Sequence, residues 1–121
     1  MRKLTALLHV LGTTSSRIPT RLYCIGGIME ETRIVRKHMR FTGRVQGVGF
    51  RYRAKYAANG VGITGWVSNE WDGSVEMEAQ GTEEQINYML TMINRSDYIV
   101  IDSIETKLIP LEEHETGFHV R

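Results

Sequence analysis

A chain of 121 residues, 41% hydrophobic and 24% charged, has the length and composition of one ordinary globular domain. Its single cysteine, Cys24, rules out an internal disulfide and leaves a cysteine-based zinc site without ligands. The formal charge of +1 is unevenly spread: residues 1–29 hold Arg2, Lys3, Arg17 and Arg21 and no acid, so the remainder carries about −3. An acidic body argues against a general nucleic-acid binder.

The first segment stands apart. Arg2-Lys3 followed by Leu4 to Leu11 has the outline of a short signal or transit peptide. His9 interrupts the apolar run, however, and no small-residue cleavage pattern follows. Residues 1–32 are therefore read as a leader outside the fold, either disordered or lying upstream of an internal start at Met29. Residues 33–121 are read as the domain. No apolar run reaches the length of a membrane span.

Within the domain, Arg36 to Gln46 alternates. Met39, Phe41, Gly43 and Val45 share one face, and His38, Arg40, Thr42 and Arg44 the other, which is the pattern of a half-buried strand. Phe50 to Asn59 has helical spacing, with Phe50, Ala54, Ala57 and Ala58 near one side. Asn59-Gly60 is its expected end. Ile63 to Asn69 reads as a strand, Glu70 to Gly73 as a turn with an Asp-Gly signature, and Ser74 to Gln80 as the returning strand. Thr82, with Gln85 three residues on, predicts a capping box. The helix behind it carries an apolar stripe of Ile86, Met89, Leu90 and Ile93. A strand around Ser103 to Leu108 follows the apolar run Ile99 to Ile101. Pro110 to Thr116 is a charged loop, and Phe118 to Arg121 a short closing strand. The order βαββαβ, with the last strand split in two, predicts an α+β, ferredoxin-like sandwich: an antiparallel sheet with two helices on one face.

This fold hosts enzymes, metal carriers and RNA readers, so function must come from a site. An RNA reader needs a basic, aromatic sheet face, yet the third strand offers Ser74, Glu76 and Glu78. A metal carrier of this shape needs paired cysteines. A nucleotide P-loop needs Gly-Lys-Ser/Thr, where this chain has Gly49-Phe50-Arg51. What remains is the strand-to-helix run Gly43 to Arg51. Its glycines let backbone N–H groups converge, the helix start adds partial positive charge, and Arg51 adds a full one.

Two motifs carry a resemblance. Phe41-x-Gly43-x-Val45-Gln46-Gly47-Val48-x-Phe50-Arg51 resembles the first signature of the acylphosphatase family. Gly65-Trp66-Val67-x-Asn69-x-x-x-Gly73-x-Val75, with Gly81 beyond, resembles the second. Their separation agrees through Ala58 and Gly62, and the likeness runs from about Arg36 to the C-terminus. It implies hydrolysis of small acyl phosphates to a carboxylate and inorganic phosphate. On that resemblance, residues Gln46, Gly47, Val48, Gly49, Phe50 and Arg51 bind the phosphate. Arg51 contributes its guanidinium, and Asn69 orients the attacking water. No metal, no other cofactor and no covalent enzyme intermediate are implied.

Departures from the family pattern are Ser68 before the asparagine and a C-terminus shorter by an aromatic. Both are read as leaving Arg51 and Asn69 untouched. No histidine is assigned as a base, and Trp66 and Trp71 are read as packing and loop residues. The expected protein is a cytoplasmic monomer with a small acyl-phosphate substrate and neither nucleic-acid nor membrane partner. The alternative is a non-catalytic module that binds acyl-phosphate groups.

Overall fold

The structure, a computed structural model, describes residues 20–25 and 28–121. Its elements are β1 (Thr20–Ile25), β2 (Ile28–Arg44), α1 (Phe50–Val61), β3 (Thr64–Asn69), β4 (Val75–Thr82), α2 (Glu83–Asn94), β5 (Val100–Ile109) and β6 (Phe118–Val120). From β2 onward this is the expected βαββαβ order, with the last strand divided into β5 and β6. The domain sheet runs β5–β2–β4–β3–β6. Because β2 and β3 flank β4, α1 crosses between parallel strands that leave room for a third. This is the split-βαβ connection of the ferredoxin-like class.

The structure corrects the sequence reading in two places. The sheet is mixed rather than wholly antiparallel, because β6 runs parallel to β3 through Gly65↔Phe118, Trp66↔His119 and Val67↔Val120. The two halves of the last strand thus lie on opposite edges. Second, α1 continues through Gly60 and ends at Gly62, whose φ of 85° is left-handed and whose N–H closes on the Ala58 carbonyl. Asn59 does not terminate the helix, because its Oδ1 accepts the Phe118 N–H and ties down β6. Ahead of residue 33 the structure also describes a strand pair. β1 pairs antiparallel with the start of β2 from Thr20↔Arg33 to Ile25↔Ile28. Backbone ladders need no particular side chains, so composition gives little sign of such a pair. Residues 1–19, to which the targeting-peptide reading applied, lie outside the described residues.

The core sits between the sheet and both helices. Met39 and Phe41 on β2, Val67 on β3, and Val75, Met77 and Ala79 on β4 meet Phe50, Ala54 and Ala58 of α1 and Ile86, Met89, Leu90 and Ile93 of α2. Phe41 and Phe50 meet edge to face at 4.9 Å between ring centres. This contact fixes the start of α1 against β2. The capping box on α2 is formed in both directions: Thr82 Oγ1 accepts the Gln85 N–H, and Gln85 Oε1 accepts the Thr82 N–H.

The sheet's other face is a network of charges. Arg36 is only 2% exposed and donates to Glu78, Gln80 and Glu115. His38 bridges Glu78 through Nδ1 and Glu76 through Nε2. Arg40 reaches Asp72 at 2.7 Å. Burial by itself would raise the Glu78 and Glu115 carboxyls. Hydrogen bonds from His38 and Arg36 to Glu78, and from Arg36 to Glu115, outweigh it and hold both below the usual carboxylate value.

Carboxyls lowered in the folded state stabilise it above their unfolded value of about 4.5. That stability is lost as pH falls through the lowered values. Arg36→Ala leaves two carboxylates without their shared cation and is expected to cost about 3 kcal/mol at neutral pH. It should also flatten the acid limb of the stability profile below about pH 4.5. Urea titrations across pH check both effects, and an acid limb as steep as that of the parent would contradict the role given to Arg36.

Candidate active site

The loop between β2 and α1 builds the site from the backbone outward. Gly47 and Gly49 have φ of 72° and 80°, a left-handed conformation that other residues adopt only under strain. These turns carry the chain from the strand directly into the helix. α1 opens with Gly49 at the N-cap, no side chain caps it, and no acid occupies its first turn. The N–H groups of Phe50, Arg51 and Tyr52 precede the first intrahelical bond, which Arg53 N–H makes to the Gly49 carbonyl at 3.0 Å. An uncapped helix start with no competing carboxylate is an anion site in its electrostatics.

A cavity of about 130 Å³ opens at this point, lined by Val45, Gly47, Gly49, Phe50, Arg51, Tyr52 and Asn69. Arg51 and Asn69, 18 positions apart in sequence, therefore border one space. Asn69 ends β3, the strand next to β4, and so faces the loop that follows β2. Its Oδ1 is buried and has no hydrogen-bond partner. A buried acceptor without a donor is costly in a folded protein, and one that borders a cavity is available to whatever enters it.

Of the residues expected to bind phosphate, Gly47, Gly49, Phe50 and Arg51 line the cavity, whereas Gln46 and Val48 do not. Gln46 has a different task. Its Nε2 donates to the carbonyls of Glu70 at 2.7 Å and Ser74 at 2.8 Å. One carboxamide thus clips the β3–β4 turn to the loop and sets Asn69 against Arg51. The turn is also closed from within: Asp72 accepts from the Ser74 hydroxyl and N–H, and these bonds, with Arg40, hold its carboxyl well below the usual range.

The C-terminal segment is not remote from the site, contrary to the reading from sequence. Arg51 Nη1 donates to the Arg121 main-chain oxygen at 3.1 Å. Arg121 N–H in turn bonds the Val67 carbonyl, and its guanidinium lies 4.2 Å from the centre of the Trp66 ring. The parallel pairing of β6 with β3 brings this residue there, and sequence periodicity carries no signal for such a pairing. Val45 and Tyr52 are the lining residues that sequence reasoning missed.

The acylphosphatase family model matches residues 37–120. The chain belongs to the acylphosphatase family. An acylphosphatase from Lactobacillus johnsonii is 43% identical over 84 residues, 68% of this chain and 92% of that protein. The crystal structure of acylphosphatase from Bacillus subtilis superposes with a TM-score of 0.66 at 31% identity, covering 72% of this chain and 98% of that one. Full-length HypF in its phosphate- and nucleotide-bound form aligns with a TM-score of 0.65 at 26% identity, covering 74% of this chain but 12% of HypF. These matches place the chain in a family of hydrolases, and family and fold together support acyl phosphate hydrolysis. Among the described residues, no helix is long and apolar enough to cross a membrane.

The Gln46 clip is testable without substrate. Gln46→Leu removes two hydrogen bonds of about 1 kcal/mol each, while the Glu70 and Ser74 carbonyls keep the N–H groups of Gly73 and Glu70 as donors. A loss of about 2 kcal/mol in urea unfolding is expected, with faster amide exchange at Gly73 in the turn. Unchanged exchange at the turn would contradict the clip.

Proposed function

We propose that this chain hydrolyses the carboxyl-phosphate bond of small acyl phosphates without a metal, at the cavity between Arg51 and Asn69. One observation carries the reading: a permanent cation, an uncapped helix start and an unpartnered carboxamide oxygen share that small space. The loop residues that line the cavity, Gly47, Gly49, Phe50 and Arg51, present backbone N–H groups to the phosphoryl oxygens. The Arg51 guanidinium adds a planar pair of donors to the same group.

Asn69 Oδ1 accepts a hydrogen bond from the attacking water and holds it in line with the bond to be broken. The water oxygen forms the new bond to phosphorus. The bond from phosphorus to the acyl oxygen breaks, and its electron pair leaves on the carboxylate. The water's protons pass to the phosphate and solvent. A carboxylate is stable as an anion, so the leaving group needs little acid catalysis. Charge neutralisation and placement of the water are then the main tasks. A neutral carboxamide performs the second without setting negative charge beside the phosphate.

The alternative of a binding module gains interest from the likeness to a small part of HypF. The orphaned Asn69 oxygen favours hydrolysis, because a module that only held phosphate would have no use for an acceptor beside it. We also read the chain as a cytoplasmic monomer, in keeping with a site formed by one chain.

Acetyl phosphate turnover with and without a chelator, beside isothermal titration with inorganic phosphate, tests the assignment. The parent should turn over equally in both conditions. Arg51→Ala should lose phosphate binding and turnover together. Asn69→Ala should keep most of the phosphate affinity and lose about 100- to 1,000-fold in kcat. Near-normal kcat in Asn69→Ala would remove it from the mechanism, and phosphate binding without parental turnover would favour the binding module.

A further inference from the structure

We propose that a second cavity, at the far end of β3 from Asn69, holds the basic segment that precedes β1, with Arg17 seated among its carboxylates. This inference stands apart from the hydrolase reading. The cavity measures about 320 Å³, and Ile34, Thr64, Thr82, Glu112, Glu113 and Glu115 are among the residues that line it. Thr64 begins the strand that Asn69 ends, so the two residues lie roughly 17 Å apart along β3.

The acidic wall of this cavity is anchored. The Gln80 side chain donates to the Glu112 carbonyl at 3.0 Å and accepts the Glu112 N–H at 2.8 Å, which pins the loop after β5 to β4. Glu115 pairs with Arg36. Among the described residues no cation pairs with Glu112 or Glu113. Thr64 Oγ1 is buried there, close to the Glu115 carboxyl, without a hydrogen bond of normal geometry. Two free carboxylates on an anchored loop, beside an unsatisfied hydroxyl, suit a cation with several N–H donors, and a guanidinium has five.

The chain itself supplies that cation. Residues 1–19 contain Arg2, Lys3 and Arg17 and no acid. β1 runs antiparallel to β2 with Thr20 beside Arg33, so the chain enters β1 from the side of Ile34. The ladder cannot continue far in that direction, because β4 takes β2 from Ile34 onward and β5 takes it from Arg36. Pro19 also has no N–H to extend it. The entering chain therefore leaves the ladder beside Ile34, which lines the cavity. Proline favours an extended conformation at the residue before it, here Ile18. Three residues span up to about 10 Å, which brings Arg17 within reach of Glu112 and Glu113.

The test is limited trypsin digestion of the full chain, with the products read by mass spectrometry. The double variant Glu112→Gln/Glu113→Gln should speed cleavage after Arg17 about fivefold over the parent, on the scale of partly exposed ion pairs. Cleavage after Arg95, inside the domain, should not change. Equal rates after Arg17 in parent and variant would leave the carboxylates to another occupant and overturn the proposal. A parallel rise after Arg95 would trace the gain to loss of the fold and overturn it too. Protection that grows with protein concentration would put the segment of a second copy in the cavity, against docking within one chain. As a second readout, Arg17→Gln should shift the amide resonances of Gly62 and Gly81, which line the cavity, and leave those of Gly47 and Gly49 in place. Unmoved Gly62 and Gly81 would contradict the docking.

Discussion

The site depends on one carboxamide. Gln46 leaves the β2–α1 loop sideways and donates to two carbonyls of the β3–β4 turn. That clip joins the loop to the turn beyond the end of the β2–β4 ladder at Phe41↔Val75. With it, the cation on α1 and the carboxamide ending β3 face one cavity at fixed separation. Much of the remaining structure braces these two sides. Phe41 against Phe50 fixes the start of α1, Asp72 and Ser74 close the turn, and the Arg121 main chain holds Arg51 from the side. Catalysis by preorganisation needs this kind of arrangement, because donors placed before the substrate arrives need no reorganisation during reaction.

Much of the fold was legible because its signals are local. Period-two alternation marked β2 and β4, the Asp-Gly signature marked the turn, and Thr82 with Gln85 marked the start of α2. The end of α1 was misplaced because Asn59-Gly60 has the chemistry of a helix stop, while tertiary contact uses Asn59 to hold β6. The parallel β3–β6 pairing and the β1–β2 ladder are relations between distant or unremarkable segments, which no local pattern encodes. At the site, Arg51 and Asn69 were legible through two motifs at a matched separation. The Gln46 clip, the Arg121 contact and the Tyr52 wall were not, since each depends on where a side chain or strand ends in space.

The sheet's open face sets carboxylates beside its basic side chains. Glu76, Glu78 and Glu115 occupy it with Arg36, His38 and Arg40 as partners. Its cations are already neutralised by carboxylates, so the face has little to offer a chain of phosphates. In the loop beside α1, by contrast, the Arg51 guanidinium donates to the main-chain oxygen of Arg121.

The most direct measurement of the central claim is an amide-resolved NMR titration of the protein with inorganic phosphate. The expected result is saturable shifts confined to the backbone amides of Gly47 to Arg51 and the side-chain amide of Asn69, with the open sheet face unchanged. Shifts centred on Arg36, His38 and Arg40, with Gly47 to Arg51 unmoved, would contradict the placement of the anion site at the start of α1.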